Sequence, residues 1–74
     1  MKSIKSLPRS SLITFNKAIS LMNKKKLHEA IEIFLQLDKK HPNQFLINMN
    51  LGDCYYNSQN YLDASRVFHR LHII

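Results

Sequence analysis

Shifted by 34 residues, the chain falls on itself without a gap: positions 11–40 align with 45–74, and seven of the thirty pairs are identical. Leu12 meets Leu46, Ile13 meets Ile47, Asn16 meets Asn50 and Asn23 meets Asn57. Further on, Ala30 meets Ala64, Phe34 meets Phe68 and Leu37 meets Leu71, while Ala18/Gly52, Leu27/Tyr61, Glu29/Asp63 and Ile33/Val67 are conservative pairs. The matches gather on apolar and small residues three or four positions apart, so what repeats is a helical surface pattern. Few architectures satisfy that constraint. A unit this short cannot bury its own apolar face and must stack on a like neighbour.

The spacing predicts four helices, at 11–23, 27–40, 44–57 and 61–73. The first carries Leu12, Phe15, Ile19 and Met22, with Ala18 and Leu21 widening the stripe. The second has Leu27, Ala30, Ile31, Phe34 and Leu37; the third has Ile47, Leu51, Cys54 and Tyr55; the fourth has Tyr61, Ala64, Val67, Phe68 and Leu71. No segment alternates with a period of two for long enough to be a strand. Ser10 or Ser11 is placed to cap the first helix and Asn43 the third, and Asn60 with Asp63 resembles a capping box at the fourth. Pro42 disfavours helix at His41 and ends the second. The polar turns at 23–26 and 57–60 are too short for anything but antiparallel hairpins. The expected fold is all-α, two antiparallel helical hairpins stacked on each other. Residues 1–10 form a basic lead-in, 11–44 the first repeat and 45–74 the second.

This period and pattern resemble the tetratricopeptide repeat. The second copy carries it as Leu51-Gly52-x-x-Tyr55 followed by Tyr61-x-x-Ala64-x-x-x-Phe68. The first copy carries Ala18, Leu21, Leu27, Ala30, Phe34 and the closing Pro42. The resemblance spans residues 11–74 and implies a short solenoid whose first helix in each pair lines a concave ligand surface. Carried over position by position, that surface consists of Leu12, Phe15, Ile19, Met22 and Asn23 from the first repeat. Leu46, Met49, Asn50, Asp53, Tyr56 and Asn57 come from the second. The family's clamp for acidic C-terminal peptides needs Lys and Asn where Phe15 and Ile19 stand, so the resemblance implies an apolar, Met-bearing groove instead. Thr14 and Lys17 stand where the family prefers apolar residues, and Leu37 and Leu71 replace a small one.

Charge is uneven: residues 1–42 hold nine Lys and Arg against three acids, and residues 43–74 hold two of each. A basic half suits an anionic partner or a solvated surface. Lys24-Lys25-Lys26 and Lys39-Lys40 are not interleaved with aromatics, which disfavours nucleic acid as partner. Single Cys54 excludes an internal disulfide and a Cys-based zinc site and points to a reducing, cytoplasmic setting. His28, His41, His69 and His72 offer at best the His69/His72 pair, without a third ligand, so no metal is expected. The five carboxylates are scattered along the helices, and Gly52 is the only glycine, so neither an acid–base pair nor a phosphate-cradling loop is expected. The longest apolar runs are three residues, Phe45-Leu46-Ile47 among them, whereas a membrane span needs about twenty.

The expectation is a non-catalytic protein-interaction module, adaptor or chaperone-like, that uses no cofactor. It takes an apolar peptide or amphipathic helix on the concave face. The alternatives are a homo-oligomerising structural unit and a small basic nucleic-acid-binding protein. Two repeats are fewer than such arrays need, and Leu71, Ile73 and Ile74 leave an apolar end, so a homo-oligomer or a place in a larger complex is expected.

Overall fold

The computed structural model describes residues 7–71, which form four helices: α1 (Arg9–Asn23), α2 (Leu27–Lys40), α3 (Phe45–Asn57) and α4 (Tyr61–Arg70). The described chain is all-α. Each helix packs on the next in sequence, and α1 also touches α3. Two antiparallel hairpins, α1–α2 and α3–α4, are therefore stacked through α2 and α3.

Both hairpin turns close with the same hydrogen bonds. Lys26 N–H donates to the Leu21 carbonyl at 2.9 Å and Lys25 N–H to the Met22 carbonyl at 3.0 Å. In the second hairpin, Asn60 N–H donates to the Tyr55 carbonyl at 2.8 Å and Gln59 N–H to the Tyr56 carbonyl at 3.0 Å. This is the Schellman pattern, which satisfies the last carbonyls of a helix by turning one residue left-handed. Lys25 (φ 65°) and Gln59 (φ 68°) take that conformation, without the glycine that adopts it at least cost.

Helix starts differ from the expectation. Pro8 is the N-cap of α1, and its carbonyl accepts from Leu12 N–H at 3.0 Å. Ser10 and Ser11 lie inside the helix. Ser11 is buried, and its hydroxyl is hydrogen-bonded to His41 Nε2 at 2.9 Å. Leu7 is buried as well, so the fold takes in the end of the expected lead-in. Gln44 rather than Asn43 is the N-cap of α3; Asn43 itself turns left-handed (φ 67°), a conformation Asn tolerates. Asn60 makes no side-chain cap bond; its amide donates to Ser58 Oγ at 3.0 Å. Helix α4 ends at Arg70, and the expected residues His72 and Ile73 lie, with Ile74, outside the described ones.

The core gathers Ala18, Ala30, Ile31, Phe34, Leu37, Ile47, Leu51, Cys54 and Val67. Helix α3 touches all three others, so it is buried furthest round its circumference, and Asp53 is its single charged residue. Gly52 faces α4, since a Cβ there would overlap the Phe68 ring. Ile47, Leu51 and Cys54 lie on another side of the helix, are fully buried, and are therefore covered by the first hairpin.

Candidate partner-binding surface

Leu12, Phe15, Ile19 and Met22 form one stripe along α1, and Leu46, Met49, Asp53 and Tyr56 form the corresponding stripe on α3. The two stripes differ in exposure. All four residues of α1 are half-buried against the core. On α3 only Met49 is half-buried, while Leu46, Asp53 and Tyr56 are exposed, Tyr56 to 59%. Packing of α1 on α2, with a lesser contact to α3, accompanies the shielding of the α1 stripe, and among the described residues nothing further covers the α3 stripe.

Phe15 also has a partner inside the first hairpin. Its ring stands edge-on to Phe34 of α2, with centroids 5.9 Å apart and planes at 66°. It therefore packs within its own hairpin, because it lies only about 60° round the helix from the buried Ala18. Tyr56 is likewise engaged, edge-on to Tyr61 at 5.2 Å across the turn to α4. Asn50 turns its amide back to the Leu46 carbonyl at 2.8 Å, while Asn23 and Asn57 stand exposed at the two helix ends. Burial raises the Asp53 carboxyl above its ordinary value, and the side chain has no ion-pair partner among the described residues.

The sequence reading missed a polar clasp at the opposite edge of the junction. Asn48, 2% exposed, donates its amide to Asp38 Oδ1 at 2.9 Å and to the Gln44 carbonyl at 3.1 Å. Arg70 donates to Asn48 Oδ1 at 3.0 Å and stands 3.5 Å from Asp38 Oδ2. One asparagine thus joins α2, α3 and α4. The signal available was Asp38 and Arg70 near the ends of α2 and α4, but their pairing depends on how the hairpins stack. Beside the clasp is an open hollow of about 440 Å3 lined by Gln44, Phe45, Asn48, Arg70 and Leu71 among others. Its counterpart in the first hairpin, of about 450 Å3, is lined at the matching positions by Ser10, Ser11, Thr14, Gln36 and Leu37, with Lys39 and Lys40 on its rim.

The remaining titratable groups are separate. The Cys54 thiol is fully buried, and burial with the nearby Asp53 charge pushes it up to about 11. It is a thiol at neutral pH, and the thiolate is the nucleophile. His69 Nδ1 lies 3.0 Å from the Ser65 carbonyl of its own helix; its expected companion His72 is outside the described residues. The Lys24-Lys25-Lys26 turn and the Lys39-Lys40 pair stand at opposite ends of α2, about 20 Å apart along its axis, and make two small patches rather than one. Among the described residues no helix is long and apolar enough to cross a membrane. Searches against family models, curated proteins and solved structures gave no match to this chain.

Proposed function

We propose that this chain is a non-catalytic protein-interaction module, a two-repeat solenoid of tetratricopeptide type. It binds an apolar peptide or an amphipathic helix along the α1 and α3 stripes. The observation that carries this reading is the pairing of a half-buried apolar floor with an exposed apolar rim. Leu12, Ile19 and Met22 form the floor, and Leu46 and Tyr56 stand above the surface beside Met49. An apolar segment laid there removes the rim from water while its backbone stays solvated or helical. Methionines at positions 22 and 49 suit partners of varied shape. The partner is thus a protein or peptide, met in the cytoplasm, and no cofactor takes part.

Exposed Leu46 and Tyr56 are the residues to change, because Phe15→Asp would break the contact with fully buried Phe34, whereas the Tyr56–Tyr61 contact lies at the surface. Capture from the native lysate is compared for wild type, the double variant Leu46→Asp/Tyr56→Asp, and Lys24→Gln/Lys25→Gln/Lys26→Gln. The expected result is loss of the partner at least about tenfold with the stripe variant and little change with the lysine variant. The reverse outcome, with steep weakening by salt, replaces this reading by an electrostatic one.

A further inference from the structure

Each hairpin has two sides on which another could stack, and the molecule contains one such junction. Its first surface is the stripe Ile47, Leu51 and Cys54 of α3, all fully buried. Its second surface belongs to the first hairpin, where Ile31 and Phe34 of α2 are buried and Ile19 of α1, the helix that also touches α3, is half-buried against the core. Both surfaces recur at the two ends of the stack, where no other described residues pack on them as a hairpin does. At one end Ile13, Lys17 and Ser20 occupy the register of Ile47, Leu51 and Cys54. All three are exposed, Ile13 to 63% where Ile47 is at 0%. At the other end Asp53, Ser65 and Phe68 occupy the register of Ile19, Ile31 and Phe34.

Each end departs from the internal junction by one charge at these positions, and the two charges are opposite. Lysine replaces Leu51 at the first end and aspartate replaces Ile19 at the second. Neither Lys17 nor Asp53 has an ion-pair partner among the described residues. On their own helices they have no rival, since α1 otherwise carries only Arg9, which is also basic, and α3 carries no other charge. Of the neighbouring α4 charges, Arg66 is paired with Asp63 at 3.8 Å and Arg70 with Asp38 at 3.5 Å, and Glu29 and Glu32 of α2 form no ion pair with Lys17.

We propose that this chain stacks head to tail on a second copy of itself, the Lys17 side of α1 in one copy seating against the Asp53 side of the second hairpin in the next. The contact copies the internal junction. Ile13 takes the place of Ile47, Tyr61 and Phe68 take the places of Leu27 and Phe34, and Lys17 and Asp53, at the registers of Leu51 and Ile19, form an ion pair. Lysine against an unaltered Ile19-type surface would lose water without gaining a partner. The paired exchange removes that penalty and fixes which surface is accepted. The clasp is not reproduced, because Thr14 and Gln36 stand where Asn48 and Arg70 do, so association is weaker than the internal junction and reversible. Two different surfaces meet, so growth runs past two copies.

Lys17 lies outside the peptide-binding stripes, so its substitution separates this inference from the functional reading above. Light scattering and sedimentation follow the full chain at low salt from about 10 µM to about 1 mM. Wild type is expected to gain mass continuously beyond a dimer. Lys17→Asp and Asp53→Lys, both at exposed positions, should each weaken association at least about tenfold. An equimolar mixture of the two variants should regain it, since each then offers the other an opposite charge. Lys17→Asp should leave partner capture unchanged. A wild type that stays monomeric or stops at a dimer overturns the proposal. So do single variants that associate like wild type, or a mixture that does not recover.

Discussion

In the first hairpin Ala18 holds the buried small-residue position and the Phe34 ring turns edge-on to Phe15, fully out of water. In the second, Gly52 holds that position, and the Phe68 ring lies where a Cβ would be, half-exposed. The same aromatic at the same register therefore has two environments. Phe34 is enclosed because the second hairpin stacks on α2, while among the described residues no further hairpin stacks on α4. Burial along this chain is assigned by position in the stack, and residue type follows it: Leu51 and Cys54 inside the junction, Lys17 and Ser20 at the same register on the open end.

That contrast is sharpest at the junction. Leu51→Ala and Ile47→Ala should each cost about 2–5 kcal/mol, since a fully buried side chain leaves a cavity. Ile13→Ala, at the matching open position, should change stability by about 0.5 kcal/mol or less in dilute protein. Urea titrations of the three variants measure this. Equal losses at 13 and 47 would dissolve the distinction between the inner and outer sides.

Within the hairpins, Ala30→Leu and Ala64→Leu should each cost about 1–3 kcal/mol by overpacking a tight site. Gly52→Ala falls in the same range, because the Phe68 ring has to move. Ala18→Gly should cost about 1 kcal/mol, the ordinary penalty of glycine within a helix. Thermal melts by circular dichroism compare the four. A neutral Gly52→Ala would mean that the Phe68 ring relaxes freely and that the two hairpins pack alike.

Asn48 and Thr14 make the same bond to the carbonyl four residues back, Asn48 at 3.1 Å and Thr14 at 3.0 Å. Only Asn48 also bridges to the other hairpin. Asn48→Ala should therefore cost about 1–3 kcal/mol, by stripping buried polar partners, and Thr14→Ala about 0.5 kcal/mol or less. Arg70 is half-exposed, so its ion pair with Asp38 adds little by itself. Chemical denaturation with a double-mutant cycle through Asp38 reads the coupling; additivity would mean that the clasp does not act as a unit.

One small effect should be equal in both hairpins. Lys25→Gly and Gln59→Gly place glycine at the two left-handed turn positions and should raise stability by about 0.5–1 kcal/mol each. Unequal melting shifts would show that the turns, identical in hydrogen bonding, are not identical in strain.

Helix content and pairing were legible because both rest on local chemistry: the spacing of Leu, Ile, Phe and Ala, and polar turns too short for anything else. The caps were less legible. Ser11 carries the chemistry of an N-cap, yet His41, thirty residues away, offers its hydroxyl a half-buried partner, and Pro8 starts the helix one turn earlier. The residues expected to bind a partner share one face of α1 and one of α3, and Phe15 also packs on Phe34 of its own hairpin. A spacing of three or four cannot tell a groove residue from one turned toward the partner helix.

By itself the sequence determined four helices, their pairing into hairpins and the register that makes position 13 equivalent to 47. Local propensity and a fixed repeat length leave no other arrangement of the apolar faces. Only the tertiary structure decided which of two equivalent positions is covered, so that Ile47 is core while Ile13 is surface. It also brought Asp38, Asn48 and Arg70 together from three helices. Coverage and long-range polar pairing depend on which surfaces stack, and stacking is a property of the assembled hairpins that no stretch of chain carries alone.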